Sequence, residues 1–148
     1  MKIALGSDHG GLDLKNIIIE HLKAEGHEVI DHGTYTHESC DYPDFAFAAA
    51  EDVRDKKAQF GIVVCTSGIG VTIVANKVKG IRCGYIQDSK WAEKAKEHDA
   101  CNMVALGGGA VSPKEAIKIV DILLATPFSH IERHERRVNK ISKYEREH

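Results

Sequence analysis

Phe60-Gly61-Ile62-Val63-Val64-Cys65-Thr66-Ser67-Gly68-Ile69-Gly70 is the stretch on which the fold turns. Its first six residues are continuously apolar and rich in β-branched side chains, the pattern of a parallel strand covered on both faces. Two hydroxyl residues and two glycines then lead into a helix. A parallel strand reaches its neighbour only through a crossover, usually a helix, so the same alternation should recur on both sides of this run.

Upstream, Lys2 to Ser7 reads as a strand, and Leu12, Leu14, Ile17, Ile18 and Leu22 follow at near-helical spacing up to Gly26. Glu28 to His32 reads as a second strand, and Asp41-Tyr42-Pro43-Asp44 opens an alanine-rich helix to about Lys57. Downstream come a helix from Gly70 to Val78, a strand from Ile81 to Ile86, a helix from Ser89 to Glu97 and a strand from Met103 to Leu106. Gly107-Gly108-Gly109 makes a loop, and Ser112-Pro113-Lys114-Glu115 supplies a cap, a first-turn proline and a capping-box acid for a helix to Leu124. Ser129 to Glu132 repeats that capping pattern for a last helix.

Five βα units predict an α/β three-layer sandwich around a five-stranded parallel sheet, Rossmann- or flavodoxin-like, with strand order 2-1-3-4-5. The 148 residues fit one domain, and 43% hydrophobic residues suffice for one core. The terminal helix, residues 131–146, follows a completed sandwich and carries only Ile131, Val138 and Ile141 among many charges. It is expected to dock on a partner subunit, a solvated tail being the alternative.

Twenty basic residues against 22 acidic ones leave a net charge of −2, which calls for neither nucleic acid nor an anionic membrane. No apolar run approaches the roughly 20 residues of a membrane span, and the N-terminal stretch has no leader character, so a cytoplasmic location is expected. Four widely spaced cysteines without a C-x-x-C pair are expected to be free thiols.

Ligands of such sheets bind beyond the carboxyl ends of the strands. After the first strand comes Ser7-Asp8-His9-Gly10-Gly11, a carboxylate and an imidazole beside two glycines, or simply a polar turn with an Asp or Ser cap. After the third comes Cys65 to Gly70. Its third dinucleotide-type glycine is replaced by Ile73 and it lacks the Gly-Lys-Ser/Thr of a P-loop, so nucleotide binding loses its main signatures. What remains is a thiol at a helix start, where amides and dipole favour the thiolate, which makes Cys65 a candidate base or nucleophile.

His98-Asp99 lies at the far end of a helix running back, so His98 should sit at the opposite edge of the sheet from Cys65, a strand of about 3.3 Å per residue away. If both serve one site, that site lies between two subunits. Arg133 and Arg137 share a helix face at i,i+4 and could hold a phosphate, or simply be solvated. His130 and His134 share that spacing without an acidic third ligand, so no metal is expected.

Taken together, these residues resemble the type B ribose-5-phosphate isomerases, the family that includes galactose-6-phosphate isomerase subunits. The likeness covers nearly the whole chain: Gly6 to Gly11, Val29 to Tyr35, Asp41 to Asp44, the loop after Cys65, Ala75-Asn76-Lys77 with Gly80-Ile81-Arg82, and Arg133 to Val138. It implies interconversion of ribose 5-phosphate and ribulose 5-phosphate through an enediol without cofactor or metal. Cys65 would be the base, Ser67 the hydroxyl beside it, and Thr66, Gly68, Ile69 and Gly70 the backbone around the enediolate. His98 would open the furanose ring. Asp8, His9, Tyr42 and Asp99 would line the sugar or phosphate, and Arg133 and Arg137 would hold the phosphate, in sites shared across a homodimer. Pairing of dimers into tetramers is left open.

Three positions depart from the pattern. Thr66 replaces a usual glycine, Asp99 a usual asparagine, and Gly109 a frequent phosphate-binding arginine. They keep another substrate in play, a tetrose or hexose phosphate such as allose or galactose 6-phosphate. The alternative of a different class is a flavodoxin-like binding module without catalysis.

Overall fold

The computed structural model describes all 148 residues. In chain order it contains β1 (Lys2–Ser7), α1 (Leu12–Ala24), β2 (Glu28–Asp31), α2 (Tyr42–Arg54), β3 (Phe60–Cys65), α3 (Ile69–Asn76) and β4 (Cys83–Tyr85). A single 3-10 turn, Ser89–Trp91, runs into α4 (Ala92–Glu97), followed by β5 (Met103–Gly107), α5 (Pro113–Ala125) and α6 (Glu132–Glu147). All strand pairs are parallel. Helices α1, α4 and α5 cover one face, and α2 and α3 cover the other. No helix is long and apolar enough to cross a membrane.

The strand order is 2-1-3-5-4, which corrects the expected 2-1-3-4-5. Burial explains the exchange. All five residues of β5 are buried, as befits a strand between two neighbours, whereas β4 has shrunk to Cys83-Gly84-Tyr85 with Tyr85 exposed. The shorter, wetter strand takes the edge, where an open ladder costs least.

The two faces are packed differently. Ile3, Leu5, Leu14, Ile18, Leu22, Ile119 and Leu123 fill the side of α1 and α5 with large aliphatics. The side of α2 and α3 is lined with Ala46, Ala49, Ala50, Ala75 and Ala105, so these helices approach the sheet closely. Cys65, at the end of β3, belongs to this second side.

Helix α6 differs from expectation at its start. Ile131 is the N-cap residue and no side chain caps the helix, so the Ser129–Glu132 capping box does not form. The Ser129 hydroxyl is engaged elsewhere, with His134 and with the Ile131 amide. Along α6, His134 and Val138 turn inward and are buried against the chain's own sandwich, while Ile131 and Ile141 are exposed.

Candidate active site

Strand register decides where the site can lie. Cys65 pairs with Gly107 at the carboxyl end of β3 and β5, and Gly61 pairs with Met103 at the opposite end. The loops after β1, β3 and β5 therefore emerge side by side. Glycines let them touch: Gly10 abuts the Thr66 side chain, and a Cβ on Gly108 would lie 2.8 Å from the Gly10 carbonyl oxygen. The Gly108 and Gly109 amides donate to the carbonyls of Cys65 (2.7 Å) and Thr66 (2.9 Å), and the Gly107 amide to Gln87 Oε1 (2.9 Å). The three-glycine segment thus clamps the Cys65 turn in place.

Within that turn, Gly68 has φ +81° and caps α3. This left-handed residue swings its N–H back onto the thiol, and Gly68 N donates to Cys65 Sγ at 3.2 Å. The Ser67 hydroxyl accepts from the Ile69 amide at 3.1 Å and lies 4.0 Å from Sγ. The first-turn amides of Gly70 and Val71 have no acceptor one turn earlier, so the helix start presents donors beside the sulfur. Cys65 itself is 5% exposed, whereas Thr66, Ser67 and Ile69 are exposed at the mouth.

The other thiols are in different surroundings. Burial first, then the neighbouring Asp99 carboxylate, pushes Cys101 up to about 11, and burial raises Cys83 further. Both stay protonated fillers at neutral pH. Cys65 alone accepts a backbone amide through its sulfur.

Asp8 stands at the edge of the cradle, with Oδ1 accepting from the amides of Gly10 (3.0 Å) and Gly11 (3.1 Å). It shapes the turn without capping α1, whose N-cap is Gly11 with no side-chain hydrogen bond, while its other oxygen makes no protein hydrogen bond. His9 is exposed, and its Nδ1 accepts the Cys40 amide at 3.3 Å, which leaves the Nε2 side as the donor in the neutral ring. The Tyr42 ring packs over Gly70, where a Cβ would lie 2.7 Å from it. Thr66 and Gly109, two of the three departing positions, touch each other.

His98, Asp99, Arg133 and Arg137 are not in this cradle. His98 caps the C-terminus of α4, five residues before β5 begins, at the amino end of the sheet, as the running direction of α4 requires. Its ring stacks on His134, with centroids 4.2 Å apart and planes 27° from parallel. Arg136 pairs with Glu132, whereas Arg133 and Arg137 are exposed and pair with no carboxylate. Burial, then His98, Arg133 and Arg137, hold the His134 imidazole below the usual histidine range. No group of three or more His, Cys, Asp or Glu side chains is arranged to hold a metal ion.

Comparison with known proteins bears on what this two-part arrangement serves. A model of the Ribose/Galactose Isomerase family matches residues 3–141. This chain belongs to that family. A ribose-5-phosphate isomerase B from Mycobacterium tuberculosis is 42% identical over 149 aligned positions, covering 100% of this chain and 92% of the relative. Among solved structures, the ribose-5-phosphate isomerase B of Clostridium thermocellum superposes with TM-score 0.96 at 46% identity, covering 99% of both chains. The Mycoplasma genitalium enzyme, solved with bound ribulose 5-phosphate, superposes with TM-score 0.94 at 42% identity over 99% of this chain and 97% of that one.

Sequence reasoning missed several residues that support the candidate site. Gln87 ties β5 to the loop after β4, donating to the Ala105 carbonyl and accepting from Gly107. Gly107 to Gly109 read as a loop in which Gly109 replaces an arginine, not as a clamp on the Cys65 turn. His134 reads in sequence only as a rejected metal ligand, although its i,i+4 spacing from Val138 on α6 is the available signal of an inward-facing polar residue.

Proposed function

We propose that this chain interconverts D-ribose 5-phosphate and D-ribulose 5-phosphate through an enediol, as a cytoplasmic homodimer whose sites are shared between subunits. The observation that carries the reading is the Cys65 sulfur held against the Gly68 amide at a helix start. A thiolate there can take the proton from C2 of the open-chain aldose. The electron pair forms the C1–C2 double bond, and the charge moves to O1, which the amides at the start of α3 can stabilise. As the proton on O2 passes to O1, the carbonyl forms at C2 and Cys65 returns its proton to C1. Ser67 steadies the turn beside the sulfur.

The ring must open first. His98 is suited to deliver a proton to the furanose ring oxygen as its bond to C1 breaks, while the O1 hydroxyl passes its proton to solvent water and O1 becomes the aldehyde oxygen. Arg133 and Arg137 supply an unpaired guanidinium couple for the phosphate. Asp8, His9 and Tyr42 surround the sugar from the Cys65 side. Because His98 and Cys65 stand at opposite ends of one sheet, a partner subunit has to bring its His98 cluster to this subunit's Cys65. Exposed Ile69 and Ile73 on α3, beside the cradle, and exposed Ile141 and Tyr144 on α6 offer apolar surface for that contact.

Initial rates across a panel of aldose phosphates test the reading. Ribose 5-phosphate should be the best substrate, with deuterium from solvent appearing at C1 of the ketose. A ranking far below a tetrose or hexose phosphate would replace the substrate, and no turnover of any of them would remove the isomerase. Sedimentation should show a dimer or a multiple of it.

A further inference from the structure

His134 is the most buried ionisable side chain of α6, at 4% exposure, and the proposed chemistry gives it no task. Its surroundings are built with care. Nδ1 is 2.6 Å from the Ser129 hydroxyl, and its ring lies flat against His98. Ser129 is itself fastened on two sides: its amide donates to the Glu97 carbonyl in the last turn of α4 (3.1 Å), and its oxygen accepts the Ile131 amide ahead of α6 (3.2 Å). The helix end that carries His98 and the helix start that carries His134 are therefore joined through one serine. An aliphatic side chain would fill the same space, but it would leave the His98 ring free to turn about its own bonds.

We infer that His134, bonded to Ser129, is a positioning residue for His98, holding its imidazole in the orientation from which it exchanges a proton with the sugar ring oxygen. The groups facing His134 are His98 and Glu97 from α4, Arg133 and Arg137 from its own helix, and Ser129 from the segment before it. Burial and the cationic neighbours disfavour a charge on His134, so it does not compete with His98 for the proton being moved. The inference rests on the isomerase reading and names which of its steps this pair serves.

That step has a signature in isotope exchange. Ribulose 5-phosphate has its C5 oxygen esterified and cannot close a furanose, so its C1 hydrogen can exchange with solvent through the enediol without any ring step, whereas net conversion in either direction passes through the ring. A residue that serves ring opening therefore matters more for conversion than for exchange. A residue that only stabilises the fold lowers both equally.

Aldose turnover and solvent-deuterium exchange at C1 of ribulose 5-phosphate should be measured for the wild type, Ser129→Ala, His134→Asn, His98→Asn and the double variant Ser129→Ala/His98→Asn, each checked by circular dichroism and melting. Ser129→Ala and His134→Asn should lower kcat from the aldose side about 10-fold, within the range of positioned acid–base groups, with KM and the C1 exchange rate changing far less. The Ser129→Ala effect should vanish when His98 is already asparagine, because residues acting through one another are not additive. Equal losses in turnover and in C1 exchange, or additivity in the double variant, would overturn the positioning role. Should His134→Asn fail to fold, Ser129→Ala decides alone, since it removes one hydroxyl. Unchanged aldose turnover in His98→Asn would instead strike the assignment of His98 in the isomerase reading, and the positioning role with it.

Discussion

At the carboxyl end of the sheet, Cys65, Thr66, Ser67, Gly68 and Gly70 stand within six consecutive residues, and the backbone itself supplies most of the functional groups. At the amino end, His98 comes from the end of α4, Ser129 from the segment before α6, and His134, Arg133 and Arg137 from α6. One region is a turn whose geometry follows from local residue choice. The other exists only because a helix start docks on a distant helix end. In the proposed mechanism this division separates what each would contribute: proton abstraction from carbon at the rigid turn, ring opening and capture of the phosphate at the docked helices.

The sharpest way to break this division is at the thiol. Cys65→Ala should reduce turnover by about 10³-fold or more, at the upper end of what a positioned base contributes, while the protein still folds and binds substrate. A progress curve with excess enzyme, beside a binding isotherm, reads both; a small loss would move the base elsewhere. Next in size, Arg133→Ala or Arg137→Ala should raise KM about 10- to 100-fold with kcat less affected, the range of a lost charge-assisted contact of about 1.5–3 kcal/mol. A fall in kcat at unchanged KM would place these arginines in the chemistry instead.

Gly68→Ala sharpens the comparison from the backbone side. A Cβ there meets the Gly107 amide nitrogen at 3.0 Å at a φ of +81°. The left-handed conformation alone costs roughly 1–2 kcal/mol for a residue with a side chain. Denaturant titration should show at least that loss, with turnover falling as Sγ loses its donor.

The smallest effect is on pH. The His134 value is depressed in the folded chain, so its contribution to stability is complete above the ordinary histidine value of about 6.5 and is lost as pH falls through the lower folded value. Melting temperatures should therefore fall on acidification more steeply for the wild type than for His134→Asn; parallel curves would show that the ring gains no proton on unfolding.

How much of this was readable beforehand follows the same division. The β-branched run at Phe60 to Val64 and the glycines after it announce a buried strand and a helix start wherever they occur, because those residues act on their own backbone. The Ser129 capping box failed for the complementary reason. A serine hydroxyl can serve a helix amide or a side chain, and only the arrival of His134 decides between them. Strand order failed likewise, since β4 and β5 both read as apolar, and the exposure of Tyr85 at the edge is a property of the assembled sheet.

The sequence by itself determined the βα alternation, the thiol at a helix start and the paired arginines on one helix face. These are set by backbone conformational preference and by a periodicity that acts over a few residues. The tertiary structure alone decided the place of β5 beside β3, the glycine clamp of residues 107–109 over the Cys65 turn, and the stacking of His134 on His98. Each of these depends on contacts between segments far apart in the chain, which close only when two hydrophobic faces are buried around one sheet.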